Sequence, residues 1–283
     1  MQHANFTYQG HQLHYALAGN PENPPLFLIH GYLSSHHVWR QTIPELQQRY
    51  YCIAVDLFGH GRSEIDPNGD YSIPAQGQRI LALANELGYE RFTLMGHSMG
   101  GQIALYIASR LAPERVIRLV DVAGVVGARL SRHVEQSVFL LLEMASRLSL
   151  VAPLVEFLGR LTAPRFRWAA NIQFSTWFVD MDALDFSSWR IDREQATRPG
   201  IRHTWFGGRN AIYGTDVTPY LNKIQVPTLV IFGKQDAVVP LEDARLAAEN
   251  IPDSCLVLIE QCGHFPMYEQ TEEYLDALRA FLL

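Results

Sequence analysis

Cysteine is scarce in this chain, basic charge is dispersed, and no apolar stretch is long enough to cross a bilayer. The three cysteines, Cys52, Cys255 and Cys262, are odd in number and show no metal-ligand spacing. That argues against a disulfide framework and against a metal centre. The net charge is −6, and the 23 lysines and arginines form no dense run, which argues against nucleic acid as the main partner. The uninterrupted apolar runs stop short of membrane-spanning length. The first residues, Met1-Gln2-His3-Ala4-Asn5-Phe6, carry no apolar signal core. Together these absences predict a cytoplasmic protein without membrane insertion. No internal repeat or low-complexity tract appears in the 283 residues, a length that accommodates one large α/β domain or a core with an inserted piece. A hydrophobic content of 48% with 18% charged residues belongs to a packed globular chain.

What is present is a rhythm of strands and helices. Phe6-Thr7-Tyr8 and Gln12 to Leu17 read as short strands around a Gln9-Gly10-His11 turn. Leu26 to His30 is a continuous apolar run of the kind buried on both faces of a sheet, and Tyr50 to Val55, Arg91 to Met95 and Val116 to Val120 read as further strands. Between them, Pro74 to Leu87 places Ile80, Leu81, Leu83, Ala84 and Leu87 at helical spacing, with Gly88 as the C-terminal cap. Strands alternating with helices predict a mostly parallel sheet covered on both faces. The rhythm breaks near Gly127, where a stretch from Val134 to Leu158 looks helical and an aromatic-rich region follows. It returns at Val226 to Gly233. We therefore divide the chain into a core of residues 1–125 and 223–283 and an insertion, residues 126–222, closing over the sheet.

The central stretch is Gly96-His97-Ser98-Met99-Gly100-Gly101, between a buried strand and a buried helix. In a G-x-S-x-G turn the serine adopts strained backbone geometry that only small neighbours tolerate, and its hydroxyl stands exposed at a helix N-terminus. A serine hydroxyl is a weak nucleophile at neutral pH and needs a base. Catalytic groups in open α/β sheets gather beyond the carboxyl ends of strands. Ser98 follows one such strand, His30-Gly31-Tyr32 a second, Asp236 a third through Gly233-Lys234-Gln235, and His264 a fourth through Glu260-Gln261-Cys262-Gly263. His264 is the candidate base, and Asp236 the acid that fixes its tautomer. The backbone N–H groups of Tyr32 and Met99 are the candidate oxyanion donors.

The chain resembles the α/β-hydrolase superfamily, in the branch that carries a helical cap after the sixth strand. The resemblance rests on His30-Gly31 with Trp39 downstream, Asp56 with Gly59-His60-Gly61-Arg62-Ser63, the Ser98 turn, the Gly233…Asp236…Pro240 segment, and Gly263-His264-Phe265-Pro266 with Glu269. It implies an eight-stranded, mostly parallel sheet with helices on both faces and an inserted helical cap. It implies a Ser98–His264–Asp236 triad that needs neither metal nor cofactor. Similar epoxide hydrolases and haloalkane dehalogenases carry aspartate where Ser98 stands, which counts against those activities.

The expected activity is hydrolysis of a small to medium, mainly uncharged carboxylic ester through an acyl-enzyme, by a monomer or homodimer. Tyr32, Met99 and the aromatic Trp177 are the expected substrate contacts. One rival is hydrolysis of a carbon–carbon bond in a vinylogous diketone; its carboxylates would call for arginines, with Arg129, Arg190 and Arg209 as candidates. Another is a small-molecule sensor that uses the same pocket. Asp121 is the rival acid, expected just after its strand. His97 is read as structural, pointing away from Ser98, and His30 as a brace for the oxyanion loop. Asp56, His60 and Arg62 are read as holding a loop near the site, and Cys262 as a structural thiol.

Overall fold

Leu26 and Leu28 pack into one hydrophobic core while Phe27 and Ile29 pack into another. Successive side chains of a strand face opposite sides of a sheet, so an unbroken apolar run marks a strand with a core on each face. In the computed structural model, which describes residues 1–135, 151–162, 165–166, 177–179 and 190–283, this strand lies within an eight-stranded sheet of order β1-β2-β4-β3-β5-β6-β7-β8. The strands are β1 (Gln2–Tyr8), β2 (His11–Ala18), β3 (Pro25–Ile29), β4 (Tyr51–Val55), β5 (Phe92–His97), β6 (Val116–Val122), β7 (Thr228–Gly233) and β8 (Ser254–Ile259). β1 pairs antiparallel with β2, and β2 with β4; every pairing from β4 to β8 is parallel. The expected α/β-hydrolase sheet is therefore present.

Helices cover both faces. Ile80, Leu83 and Ala84 of the helix Ile73–Glu86, with Ile103, Ala104 and Leu105 of the helix Met99–Tyr106, fill one core. Trp39 and, from the helix Thr271–Leu282, Tyr274 and Leu278 fill the other. The Ile73–Glu86 helix starts where Ser72 Oγ accepts the Ala75 N–H at 3.3 Å, with Pro74 in its first turn. It stops at Gly88, φ +77°, where the Tyr89 N–H returns to the Ala84 carbonyl.

Several boundaries differ from the sequence reading. β5 continues through His97 and β6 through Val122, so Asp121 lies inside its strand and not after it. Parallel neighbours extend these strands: Gly96 pairs with Asp121 and His97 with Val122. The helix after Ser98 gives way at Ile107 to a wider turn that runs to Leu111. Of the expected Val134–Leu158 helix, residues 136–150 lie outside the described residues, as do Trp168, Phe174, Phe186 and Trp189. Between β6 and β7 the described residues include helices at Arg132–Glu135, Ala152–Thr162, Arg190–Gln195 and Ile201–Tyr213. Among the described residues no helix is long and apolar enough to cross a membrane.

Cys52 and Cys262 are buried and Cys255 is exposed on β8, at the edge of the sheet. Burial pushes the Cys52 thiol up to about 12 and raises that of Cys262 as well. A thiol-reactive dye at pH 8 is therefore expected to label one cysteine in the native protein, lost in Cys255→Ser, and all three only after denaturation. Rapid native labelling of Cys262 would contradict this packing.

Candidate active site

β5 passes into its helix through one residue, Ser98, with φ 57° and ψ −120°. A non-glycine residue in this region stores about 1–3 kcal/mol of strain and must be held by its surroundings. The Ser98 N–H donates to the Val122 carbonyl at 2.9 Å, and its carbonyl accepts from the Gln102 N–H at 3.1 Å. Two close approaches require glycine. A Cβ on Gly31 would lie 2.8 Å from the Ser98 Cβ, and one on Gly100 would collide with the carbonyls of Ile29 and His30. The turn is thus wedged against the end of β3, which brings the Gly31-Tyr32 backbone beside Ser98.

His264 and Asp236 arrive from the loops after β8 and β7. Asp236 Oδ1 accepts the N–H groups of Val238 and Val239 at 2.8 and 3.0 Å, and Oδ2 lies 2.8 Å from His264 Nδ1. The carboxylate is thereby fixed and holds one imidazole nitrogen, leaving Nε2 as the nitrogen for the cavity. The backbone around His264 is pinned from several sides. Its N–H donates to the Trp177 carbonyl at 3.0 Å, and its carbonyl accepts from His97 Nε2 at 2.8 Å. Glu269 Oε1 accepts the N–H groups of Gly263 and Phe265, both at 3.1 Å, and Oε2 that of Val179 at 2.8 Å.

Ser98 and His264 open onto one cavity, with about 680 Å³ of empty space including its mouth. Tyr32, Trp177, Ile212, Tyr213, Val238 and Phe265 are among its walls. Two of the three expected contact residues, Tyr32 and Trp177, line it. Met99 does not; it is fully buried in the core. The three arginines separate. Arg209 lines the cavity; Arg129 pairs with Asp243 at 3.2 Å, and Arg190 with Glu194 at 3.3 Å on the surface. His97 braces the His264 backbone, as a structural role requires, and also borders the cavity. Its ring lies 4.8 Å from that of His264 and 4.7 Å from that of Phe265. Burial holds it neutral, well below the usual histidine range.

Four walls from the segment between β6 and β7, Leu130, Val134, Ile212 and Tyr213, escaped the sequence reading, because no periodicity there separates lining from core. The support of the oxyanion loop escaped it in part. His30, fully buried, donates from Nδ1 to the Gly31 carbonyl at 2.7 Å and accepts the Leu57 N–H on Nε2 at 3.1 Å. Burial lowers its pKa to about 4, and that of His60 to about 3, so both rings stay neutral. Asp56 is buried too, which by itself would raise its carboxyl. Hydrogen bonds from His14 and His36 outweigh this and keep it ionised far below the ordinary range. Of Arg62, the backbone N–H reaches Asp56, at 2.9 Å.

A model of the alpha/beta hydrolase fold family matches residues 24–271. The chain belongs to that family. It is 28% identical to a pimeloyl-[acyl-carrier protein] methyl ester esterase from Nitrosomonas europaea, over 95% of this chain and 98% of that protein. It is equally similar, at 28%, to a 2-hydroxy-6-oxo-6-(2'-aminophenyl)hexa-2,4-dienoic acid hydrolase from Metapseudomonas resinovorans, over 96% of this chain and 88% of that one. A crystal structure of a hydrolase from Pseudomonas aeruginosa superposes with a TM-score of 0.80 at 26% identity, covering 99% of this chain and 98% of that one.

This alpha/beta hydrolase keeps Asp121, the rival acid, away from the cavity walls. Neither Asp121 oxygen has a hydrogen-bond partner among the described residues, and burial, with Asp243 nearby, raises its pKa from 3.8 to about 8. Between about pH 4 and 8 the unfolded chain binds fewer protons than the folded one at this site, so stability falls as pH rises. Asp121→Asn should remove that slope. Its denaturation midpoint relative to wild type is expected to improve steadily from pH 4.5 to pH 8, and a constant offset would refute the buried neutral acid.

Proposed function

We propose that this alpha/beta hydrolase is a serine hydrolase of small to medium carboxylic esters, with residues 126–222 as a helical cap over the site. The observation that carries the reading is the 2.8 Å Asp236–His264 pair opening onto the same cavity as Ser98. In this mechanism His264 Nε2 takes the Ser98 proton as Oγ attacks the ester carbonyl. The oxyanion forms between the N–H groups of Tyr32 and Met99, the latter at the first turn of its helix, where donors and dipole favour negative charge. Asp236 stabilises the imidazolium. Collapse expels the alcohol, which leaves with the proton held by His264. Water then attacks the acyl-enzyme with His264 as base, and the acid departs as Ser98 recovers its proton.

The walls favour an apolar acyl or alcohol group, since Trp177, Ile212, Val238 and Phe265 offer it no charge. Hydrolysis of p-nitrophenyl esters of graded acyl length tests the reading. Turnover by wild type is expected to fall by at least about 10³-fold in Ser98→Ala and His264→Ala, with the native circular dichroism unchanged. Full activity in Ser98→Ala would overturn the mechanism.

Arg209 on the cavity wall supports a second reading, cleavage of a carbon–carbon bond in a vinylogous diketone that carries a carboxylate. On that reading Arg209→Ala raises KM for the diketone at least about tenfold and leaves neutral esters untouched, and wild type turns over the diketone far faster than any ester. Equal, small effects of the substitution on both substrates would remove the case for it.

A further inference from the structure

The Asp56 carboxylate, at the carboxyl end of β4, gathers two buried imidazoles. His14 Nδ1 lies 2.8 Å from Oδ2 and His36 Nδ1 lies 3.0 Å from Oδ1. Backbone fixes all three residues. The Asp56 N–H donates to the His14 carbonyl at 2.9 Å across the β2–β4 ladder, and the His36 N–H donates to Asp56 Oδ1 at 2.7 Å. With Nδ1 of each ring held by the carboxylate, the Nε2 lone pairs are what His14 and His36 present elsewhere. A third ring meets them from β1. Asn5 pairs with His14, so His3, two residues along, lies on the same face. His3 Nδ1 stands 3.2 Å from His14 Nε2, and the three ring centroids are 5.1 to 5.4 Å apart.

We propose that His3, His14 and His36 bind a divalent transition cation of the Zn²⁺ class, with Asp56 as the shared carboxylate behind His14 and His36. In a tetrahedral zinc site with Zn–N bonds of about 2.0–2.1 Å, neighbouring ligand nitrogens are about 3.3 Å apart. The 3.2 Å separation of His3 Nδ1 and His14 Nε2 matches that edge. A carboxylate accepting the far N–H of a metal-bound imidazole fixes its tautomer and ring orientation, which is the relation of Asp56 to both rings. His14 and His36 are buried and His3 is exposed, so the cluster has an anchored side and a side open to solvent. Sequence spacing hides it, because positions 3 and 14 meet through strand pairing and position 36 through its backbone bond to Asp56. Such a cation would tie the edge strand β1 to the segment after β3 that carries Tyr32. The competing arrangement of the same atoms is an ordinary hydrogen bond from His3 Nδ1 to His14 Nε2 without a metal.

The two are separated with the full, tag-free chain, stripped by a chelator and titrated with Co²⁺ and then Zn²⁺. The expected result is one Co²⁺ per chain with the visible absorption of a four-coordinate site, displacement by Zn²⁺, and a Tm raised by Zn²⁺. His3→Ala, at an exposed position, is expected to keep the native circular dichroism, weaken Co²⁺ binding at least tenfold and abolish the Tm shift; His36→Asn should do the same. The proposal fails if wild type shows neither the absorption nor the shift. It fails equally if His3→Ala binds with wild-type affinity, since the cation then sits on others of the eleven histidines. These readouts are independent of ester or diketone turnover.

Discussion

The contact between the Ser98 turn and the end of β3 is the constraint on which the site depends. Ser98 holds φ 57° because the backbone of its own helix, the β6 carbonyl of Val122 and the β3 carbonyls leave it nowhere else to go. That wedge sets two separate things at once: where the hydroxyl stands, and how close the Gly31-Tyr32 amides come to it. A methyl group at Gly31 or Gly100 would push the two apart. Local strain is tolerated because the sheet on either side is fully buried and resists relaxation, as close-packed interiors do.

Beyond that wedge the site is held by polar groups that avoid net charge. His30, His60 and His97 are buried and neutral, each committed to a backbone partner: Gly31 and Leu57 for His30, Phe58 for His60, His264 for His97. Neutral donors of this kind fix loops without the large desolvation cost of a buried ion. The carboxylates of Asp56, Asp236 and Glu269 are surrounded by donors. Asp236 accepts two backbone N–H groups as well as the imidazole, so its orientation does not depend on His264 alone.

Much of this was legible in the sequence, for physical reasons that differ by region. Buried parallel strands must be apolar on both sides, so β3 announced itself as an unbroken run, and β4, β5 and β7 read as further strands. A serine turn that tight needs glycine on either side, so Gly96 and Gly100 pointed to Ser98. The residues beyond β7 and β8 followed from chain order. The segment between β6 and β7 resisted, because apolar side chains there border the cavity, as Val134 and Tyr213 do, or fill the core, as Ile201 and Trp205 do. Arg209 was one of three candidate arginines until the fold placed it on the cavity wall. His14 and His36 escape a spacing rule because their shared partner, Asp56, is set by strand register for one and by the turn after β3 for the other. Asp121 was misplaced by the common uncertainty at strand ends: two more residues of pairing with β5 drew it into the sheet interior.

The sheet order also fixes when, during synthesis, the cavity can become chemically complete. Ser98 and the β3 loop precede β7 and β8 in the chain. Asp236 and His264 lie beyond the insertion, on loops after the two strands that end the sheet. A growing chain therefore carries Ser98 before the imidazole of His264 has been made. The arrangement delays any reactivity that needs all three residues until the loop after β8 has been made.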